Sequence, residues 1–354
     1  MGDRMNTKKW NIVVLTGTML ILGLLAAVTL VIDPFLHYHK PLACLEYPLK
    51  DERYINDGIA RWYDYDAIIT GTSMTQNFKV SELNSLMGVN AIKTSFSGAS
   101  FHELNENISR ALSYQPDMKM VLCSMDGSRI RYPADKNEYT NYPEYLYNDN
   151  PFDDVNYLLN KEVIPKTLAV INYTRAGEIT PTMDAYGNWS QYKIFGKEEV
   201  KKTMSEPPVN AETIVLSEED IQMAYENVEK NFLNMARMYP DTQFYFFFPP
   251  YSIAYWQTLH QKKKLDAQLE LEKMAVEIML QADNVHIFGF ADWVDVISDL
   301  DNYMDTIHYS EKINSKILEA IAQGEGELTE ANYEMYFEKL KRLYSNYDYA
   351  SVWN

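Results

Sequence analysis

Hydrophobic and polar positions alternate along the chain in three distinct ways. Residues 12–32 read IVVLTGTMLILGLLAAVTLVI, 21 positions without a charge. At 1.5 Å of rise per residue, such a run crosses a bilayer core of about 30 Å as a single helix. Five shorter apolar runs, at 66–70, 89–94, 119–124, 243–248 and 284–288, read as strands. Between them, residues 104–112, 221–238 and 265–280 repeat apolar side chains three and four apart, the spacing of helices packed on one face. The same spacing of Tyr333, Tyr336, Phe337, Leu340 and Leu343 predicts a last amphipathic helix over 329–344, with core packing as its default role. Strands alternating with helices predict an α/β fold around a parallel sheet covered on both faces. Loops that leave the C-terminal strand ends of such a sheet gather at one edge and make the site.

This pattern divides the chain into a tip and transmembrane anchor, 1–35, and an external domain, 36–354. Arg4, Lys8 and Lys9 precede the apolar run and Asp33 follows it, so the positive-inside bias puts the N-terminus in the cytoplasm. A cleavable signal peptide is the competing reading. The run is longer than an h-region of about 7–15 residues, and Asp33-Pro34-Phe35 is no small-residue cleavage site. The stretch Pro41-Leu42-Ala43-Cys44 has a faint likeness to a lipidation box, with Pro41 ill-suited to it. No second span is predicted, since the apolar stretch 244–253 is short and holds Pro249-Pro250. About ninety residues, 127–217, rich in Tyr, Asn, Pro and Asp, interrupt the strand and helix alternation; an insertion of that length reads as a lid, a binding subdomain or a partner surface.

Charge narrows the partners. Fifty Asp and Glu against 32 Lys and Arg give a net charge of −18, unsuited to gripping nucleic acid. The external part, repelled by anionic headgroups, suits an enzyme or binding module on an anchor better than a channel. Cys44 and Cys123 lack CxxC spacing, so no zinc site or disulfide framework is expected, and a single bridge stays open. The 27 tyrosines offer stacking area with hydroxyls, as saccharide-facing surfaces do, although cores use tyrosine too.

Candidate chemistry collects at the predicted strand ends. Ser73 follows the first strand in Gly71-Thr72-Ser73, where glycine permits a tight turn that presents a hydroxyl, although a turn serine commonly caps a helix. Asp305-Thr306-Ile307-His308 precedes a helix starting near Ser310 or Glu311; there an aspartate can hold an imidazole that takes the serine proton. After the second strand, Ser97-Gly98-Ala99 can aim an amide at an oxyanion. Asp126 at the third strand end, His102 and Tyr251 are weaker candidates for substrate contact, with a turn, a helix surface and a stiff Pro249-Pro250 rim as their plainer roles. His37 and His39 read as interfacial, His260 and His286 as structural. Neither a cofactor nor a metal is expected.

With serine first, glycine after the next strand and Asp-x-x-His near the end, the chain resembles the SGNH (GDSL-like) hydrolase family over roughly residues 64–125 and 240–323. The resemblance implies a flavodoxin-like three-layer sandwich, Ser73 as nucleophile and oxyanion donor, Gly98 as a second donor, His308 as general base and Asp305 as its orienting carboxylate. Where that family carries Gly-x-Asn-Asp, this chain has Ser124-Met125-Asp126-Gly127, lacking the asparagine donor; Thr72 replaces the family aspartate. The anchored arrangement looks like the branch containing the lipoteichoic-acid D-alanylation and alginate acetylation proteins, which work beside membrane-bound O-acyltransferases. It implies a bacterial cell-membrane protein acting as an O-acyl esterase or acyltransferase on an envelope polysaccharide or teichoic-acid-like polymer. The rival reading is a non-catalytic scaffold binding polymer or acyltransferase; a surface receptor with a fortuitous triad is a third. In a eukaryotic secretory setting Asn107, Asn172 and Asn188 would be glycosylation candidates.

Overall fold

The computed structural model describes residues 7–353 except 140, 141, 149 and 207–209. Arg4, on which the orientation reading partly rests, and parts of the 127–217 segment therefore lie outside the described residues. The chain divides into two compact units, within the bounds Met1–Trp62 with Asn141–Pro181, and Tyr63–Thr140 with Thr182–Asn354.

The first unit is helical: α1 (Thr7–Ile32), α2 (Glu52–Trp62), α5 (Val155–Leu158) and α6 (Val163–Arg175). Helix α1 is long and apolar enough to cross a membrane, and its mid-section is exposed. It ends at Asp33, which adopts φ +47° and draws the following turn together. The Asp33 carboxylate accepts the amides of His37 (2.9 Å), Tyr38 (2.8 Å) and His39 (3.0 Å), and the hydroxyl of Tyr157 (2.7 Å). His37 lies 3.4 Å from Asp154, and His39 Nε2 lies 3.3 Å from the Leu30 carbonyl. The Tyr47 hydroxyl donates to the Ile32 carbonyl at 2.9 Å. The last turn of α1 is thus capped by side chains, which satisfies carbonyls that a helix end leaves open.

The second unit is α/β. Its sheet comprises β1 (Ala67–Thr70), β2 (Ala91–Lys93), β3 (Met120–Ser124), β4 (Gln243–Phe248), β5 (Val285–Gly289) and β6 (Glu327–Leu328), in the order β2-β1-β3-β4-β5-β6. The first five are parallel and lie where the apolar runs predicted. The sixth, which the sequence reading lacked, is antiparallel, pairing Ile287 with Leu328 and Phe288 with Glu327. Every residue of β1, β2 and β3 is buried, as a doubly covered sheet requires. Helices α3 (Val80–Met87) and α13 (Glu311–Gln323) pack together. A second group joins α4 (Phe101–Tyr114), α8 (Glu218–Val228), α9 (Asn234–Met238), α10 (Ile253–Gln261), α11 (Leu265–Met279) and α14 (Tyr333–Asn346). Short α7 (Lys197–Thr203) and α12 (Val294–Ile297) complete the unit.

The single helix expected over 221–238 is broken by a π segment, Glu229–Leu233, between α8 and α9. The wider turn brings Asn227 and Asn231 inward, where their amides donate to the carbonyls of Arg129, Ile130 and Ala134 at 3.0 Å each. Part of the tyrosine content serves the core, the second of the two roles the composition left open. Tyr47, Tyr157, Tyr303, Tyr309 and Tyr344 are among the largest fully buried side chains. Several spend their hydroxyls on backbone carbonyls, as Tyr65 does on Ala111 and Tyr303 on Pro250. Asn107 is buried and donates to Thr70 Oγ1 and Thr94 Oγ1 at 2.9 Å each, so it ties β1 to β2 and offers nothing to a glycosyltransferase. Cys44 is exposed, Cys123 is buried in β3, and both are free.

Glu272 on α11 is buried beneath Gly127, where any Cβ would stand 2.1 Å from its Oε1, and burial pushes its carboxyl up to about 7. A carboxyl raised in the folded state binds its proton more tightly there than in the unfolded chain. Stability should therefore fall as pH rises from 4.5 through about 7. Glu272→Gln should remove a penalty of about 3 kcal/mol above pH 7 and none below pH 4.5. Urea midpoints across that range check it; a pH-independent difference between the two proteins rejects it.

Candidate active site

The sheet changes winding direction between β1 and β3, because β2 is added on one side of β1 and β3 on the other. A crevice opens outside the carboxyl ends of two strands at such a point. Residues 71–75 leave β1 there. Gly71 takes φ +136° and packs against Ser124, while its carbonyl accepts Phe96 N–H at 2.9 Å. Thr72 N–H donates to Ser124 Oγ at 3.3 Å, and Ser73 opens a 3₁₀ turn, Ser73–Thr75. Further contacts fix that turn. Thr75 Oγ1 and Ser95 Oγ lie 2.7 Å apart, and Asn314 of α13 donates to the Met74 carbonyl at 2.9 Å. Lys93 at the end of β2 is buried, with Nζ donating to the carbonyls of Gln76 (2.6 Å) and Phe78 (2.8 Å).

Residues 303–309 form the opposing loop. Tyr303 and Tyr309 pair as an antiparallel bridge, Met304 N–H donates to the His308 carbonyl at 3.0 Å, and α13 begins just after the extended Ser310, whose N–H donates to the Asn302 carbonyl at 2.8 Å. The loop is fastened to the exit of β4: Ser252 Oγ donates to the Thr306 carbonyl and the Tyr303 hydroxyl to the Pro250 carbonyl, each at 2.7 Å. Pro249 and Pro250 therefore stiffen the support of the histidine loop.

The structure brings Ser73, His308 and Asp305 into one hydrogen-bonded chain. Ser73 Oγ lies 2.8 Å from His308 Nε2, and His308 Nδ1 lies 2.7 Å from Asp305 Oδ2. Asp305 Oδ1 accepts the amides of Ile307 (2.9 Å) and His308 (2.8 Å). Burial pushes the Asp305 carboxyl up, but the imidazole and these two amides outweigh it and hold the group below its ordinary value. Being ionised, Asp305 can only accept, so Nδ1 carries a proton, and in the neutral imidazole the Nε2 lone pair then faces the Ser73 hydroxyl. This is the tautomer a general base requires. Both side chains of the His308–Asp305 pair keep about a fifth of their surface open to solvent.

The other candidates lie differently. Gly98 turns the chain after β2 at φ +65°, and a Cβ there would stand 3.8 Å from both Arg129 Nη2 and Tyr139 Oη. Asp126 and Tyr251 are both buried and bonded to each other, the Tyr251 hydroxyl donating to Asp126 Oδ1. Burial, with Asp126 beside it, pushes the Tyr251 hydroxyl well up. His102 pairs with Glu106 one turn along α4, at 3.7 Å on the helix surface. The sequence reading missed Trp189. Its indole N–H donates to the Ser73 carbonyl at 3.3 Å, and its ring meets the His308 ring edge-on, centroids 5.5 Å apart. Asn77 Oδ1 accepts the amides of Trp189 (3.0 Å) and Ser190 (3.1 Å), and Ser190 Oγ accepts Glu311 N–H at 3.2 Å, so a segment of the insertion is latched over the pair. A signal was present in the lone tryptophan of Asp184-Ala-Tyr-Gly-Asn-Trp189.

No family model and no curated protein matches the chain. Among solved structures, a Streptococcus pneumonia protein described as a proposed platelet activating factor is similar at 12% identity and a TM-score of 0.36, over 78% of this chain and 91% of that one.

Proposed function

We propose that the protein is an SGNH-type serine O-acyl esterase or acyltransferase that works through an acyl-enzyme at Ser73. The observation that carries this reading is the continuous chain from Ser73 Oγ through His308 to Asp305 at the winding switch of the sheet. The strand order 2-1-3-4-5 of its parallel part is the flavodoxin-like one, which supports the family reading. In the first step the Ser73 hydroxyl proton passes to His308 Nε2 as Oγ bonds the ester carbonyl carbon. The tetrahedral oxyanion is held by the Ser73 and Gly98 amides. It collapses by breaking the bond to the alkoxy oxygen, which leaves as an alcohol with the His308 proton. Water, or a hydroxyl of a sugar or polyol, then gives its proton to His308 and attacks the acyl-enzyme, so that an acid or a new ester departs and Ser73 regains its proton.

Helix α1 anchors this chemistry in the cell membrane, with Lys8 and Lys9 on the cytoplasmic side and the acidic body outside. That placement directs the activity to an envelope polysaccharide or teichoic-acid-like polymer, beside a membrane-bound O-acyltransferase. One observation favours the non-catalytic alternative, a scaffold binding polymer or that partner: Asp126 stands where an oxyanion donor is expected, and its carboxylate is engaged by Tyr251. A serine-directed phosphonate separates the two. The enzyme should carry the label on Ser73 within minutes, whereas an unlabelled protein with a folded α/β unit leaves the scaffold.

Trp189 holds the imidazole edge and the Ser73 carbonyl in this scheme. Trp189→Ala should slow labelling roughly tenfold, and Trp189→Phe, which keeps the ring contact, should recover most of it. Equal rates for all three proteins would remove Trp189 from the site.

A further inference from the structure

Helix α6 is apolar on two faces. One faces inward, with Val163, Thr167 and Val170 buried; the other carries Leu168, 53% exposed, with Pro165 exposed and Ile164 and Ile171 half-buried. Its charges keep to the margins: Lys161 and Glu162 precede it, Lys166 is paired to Asp51, and Arg175 closes it. A helix surrounded by water has no use for a second apolar stripe.

The position of α6 beside α1 supplies the reason for one. The exposure of α1 falls along a single face, through Leu25, Val28, Thr29 and Ile32, and only Thr29 is fully buried. Helices α5 and α6 pack against α1, and Thr167 Oγ1 reaches Thr29 Oγ1 at 3.5 Å. Thr29 precedes Ile32 by three residues, so it lies about 4.5 Å inside the end of the apolar run. The middle of α6 is therefore level with the last turn of the membrane-crossing segment, and Leu168 is the next residue after the one that touches it.

We propose that α6 is a second membrane contact, lying at the outer interface and burying Ile164, Pro165, Leu168 and Ile171 among the lipid headgroups and upper acyl chains. This rests on reading α1 as a span. Lipid is the occupant because the same unit already enters it at that depth through α1, and the stripe's polar members, Lys161, Asn172 and Arg175, stand toward its two ends and leave Ile164, Pro165, Leu168 and Ile171 together in its middle. Lys161 and Arg175, at the two ends of α6, can extend toward phosphates while their stems stay in the interface.

The test uses the full chain with Cys44→Ser, leaving Cys123 buried, and one new cysteine carrying an environment-sensitive fluorophore. The sites are Leu168→Cys and Ile171→Cys on α6, and Leu22→Cys at mid-span, in vesicles of zwitterionic lipid holding this chain alone. A lipid bearing a nitroxide near the headgroup should quench both α6 probes by roughly half, and one bearing it near the chain end should quench the Leu22 probe more. If the Leu22 probe is quenched and both α6 probes are untouched, the anchor stands and the proposal falls. If none is quenched, the span itself fails. An α6 probe shielded from both lipid and an aqueous quencher marks a second copy on that face, which also overturns the proposal.

Discussion

Ser73→Ala is expected to abolish phosphonate labelling outright and to lower ester cleavage by the purified protein about 10⁵-fold or more, toward the residual rate that binding and oxyanion contacts alone sustain. The substitution deletes one oxygen and one hydrogen bond, the 2.8 Å contact to His308, so the unfolding free energy read from urea titration should change by no more than about 1 kcal/mol. That contrast makes the result interpretable, because chemistry disappears while the fold stays. Asp305→Asn should be nearly as damaging. An amide nitrogen facing Nδ1 favours the tautomer with its proton on Nε2, which turns the base away from the serine at a cost of about 10⁴ in rate. The double variant should be hardly slower than either single one, as expected of groups acting as a unit. A Ser73→Ala protein that still labels, or a strain carrying it with normal envelope acylation, would leave the scaffold reading.

Gly71→Ala should be the most disruptive single substitution at the site. At φ +136° any side chain is strained, and a Cβ there would stand 2.3 Å from Ser124 Oγ and 2.9 Å from Thr75 Cγ2. Strain and overpacking of this kind each cost about 1–3 kcal/mol. The turn that presents Ser73 must move, so labelling should vanish along with about 3 kcal/mol or more of stability. Adding Ser124→Ala removes the closest clash but neither the backbone strain nor the contact with Ser124 N at 3.0 Å; it should return part of the stability and none of the labelling. Wild-type labelling by Gly71→Ala would mean that the turn is not what positions the serine.

Much of the fold was legible because the five parallel strands are mostly apolar runs, and a run such as Phe244 to Phe248 has no other use in a doubly covered sheet. The sixth strand was not, since two residues, Glu327 and Leu328, show no period and are held by pairing with Phe288 and Ile287. The π turn was hidden for a similar reason: it answers to carbonyls of residues 129–134, which nothing local to Glu229 announces. At the site, Asp305 and His308 could be paired from sequence because the contact spans three residues and one turn makes it. Trp189 offered only the signal of a lone tryptophan, because its partner Ser73 is distant in sequence, and Lys93 offered none, because a lysine buried on the carbonyls of Gln76 and Phe78 reads in sequence as a surface charge. The tyrosine content could not be divided between core and surface from composition, which counts hydroxyls without saying which reach water; Tyr303 and Tyr344 spend theirs on carbonyls inside.

Ser73 and His308 are 235 residues apart in sequence, and that separation sets a timetable. A ribosome adding about 5–20 residues per second completes the histidine some ten to fifty seconds after the serine. Until then Ser73 is an ordinary alcohol, and β1 to β4 can pair without a base beside it. In the proposed mechanism Ser73 is armed only when the loop 303–309 closes on Pro250 and Ser252, a contact that needs most of the chain to have been made. On that proposal, any chain cut short before the loop carries the serine without its base, so incomplete copies would be chemically silent.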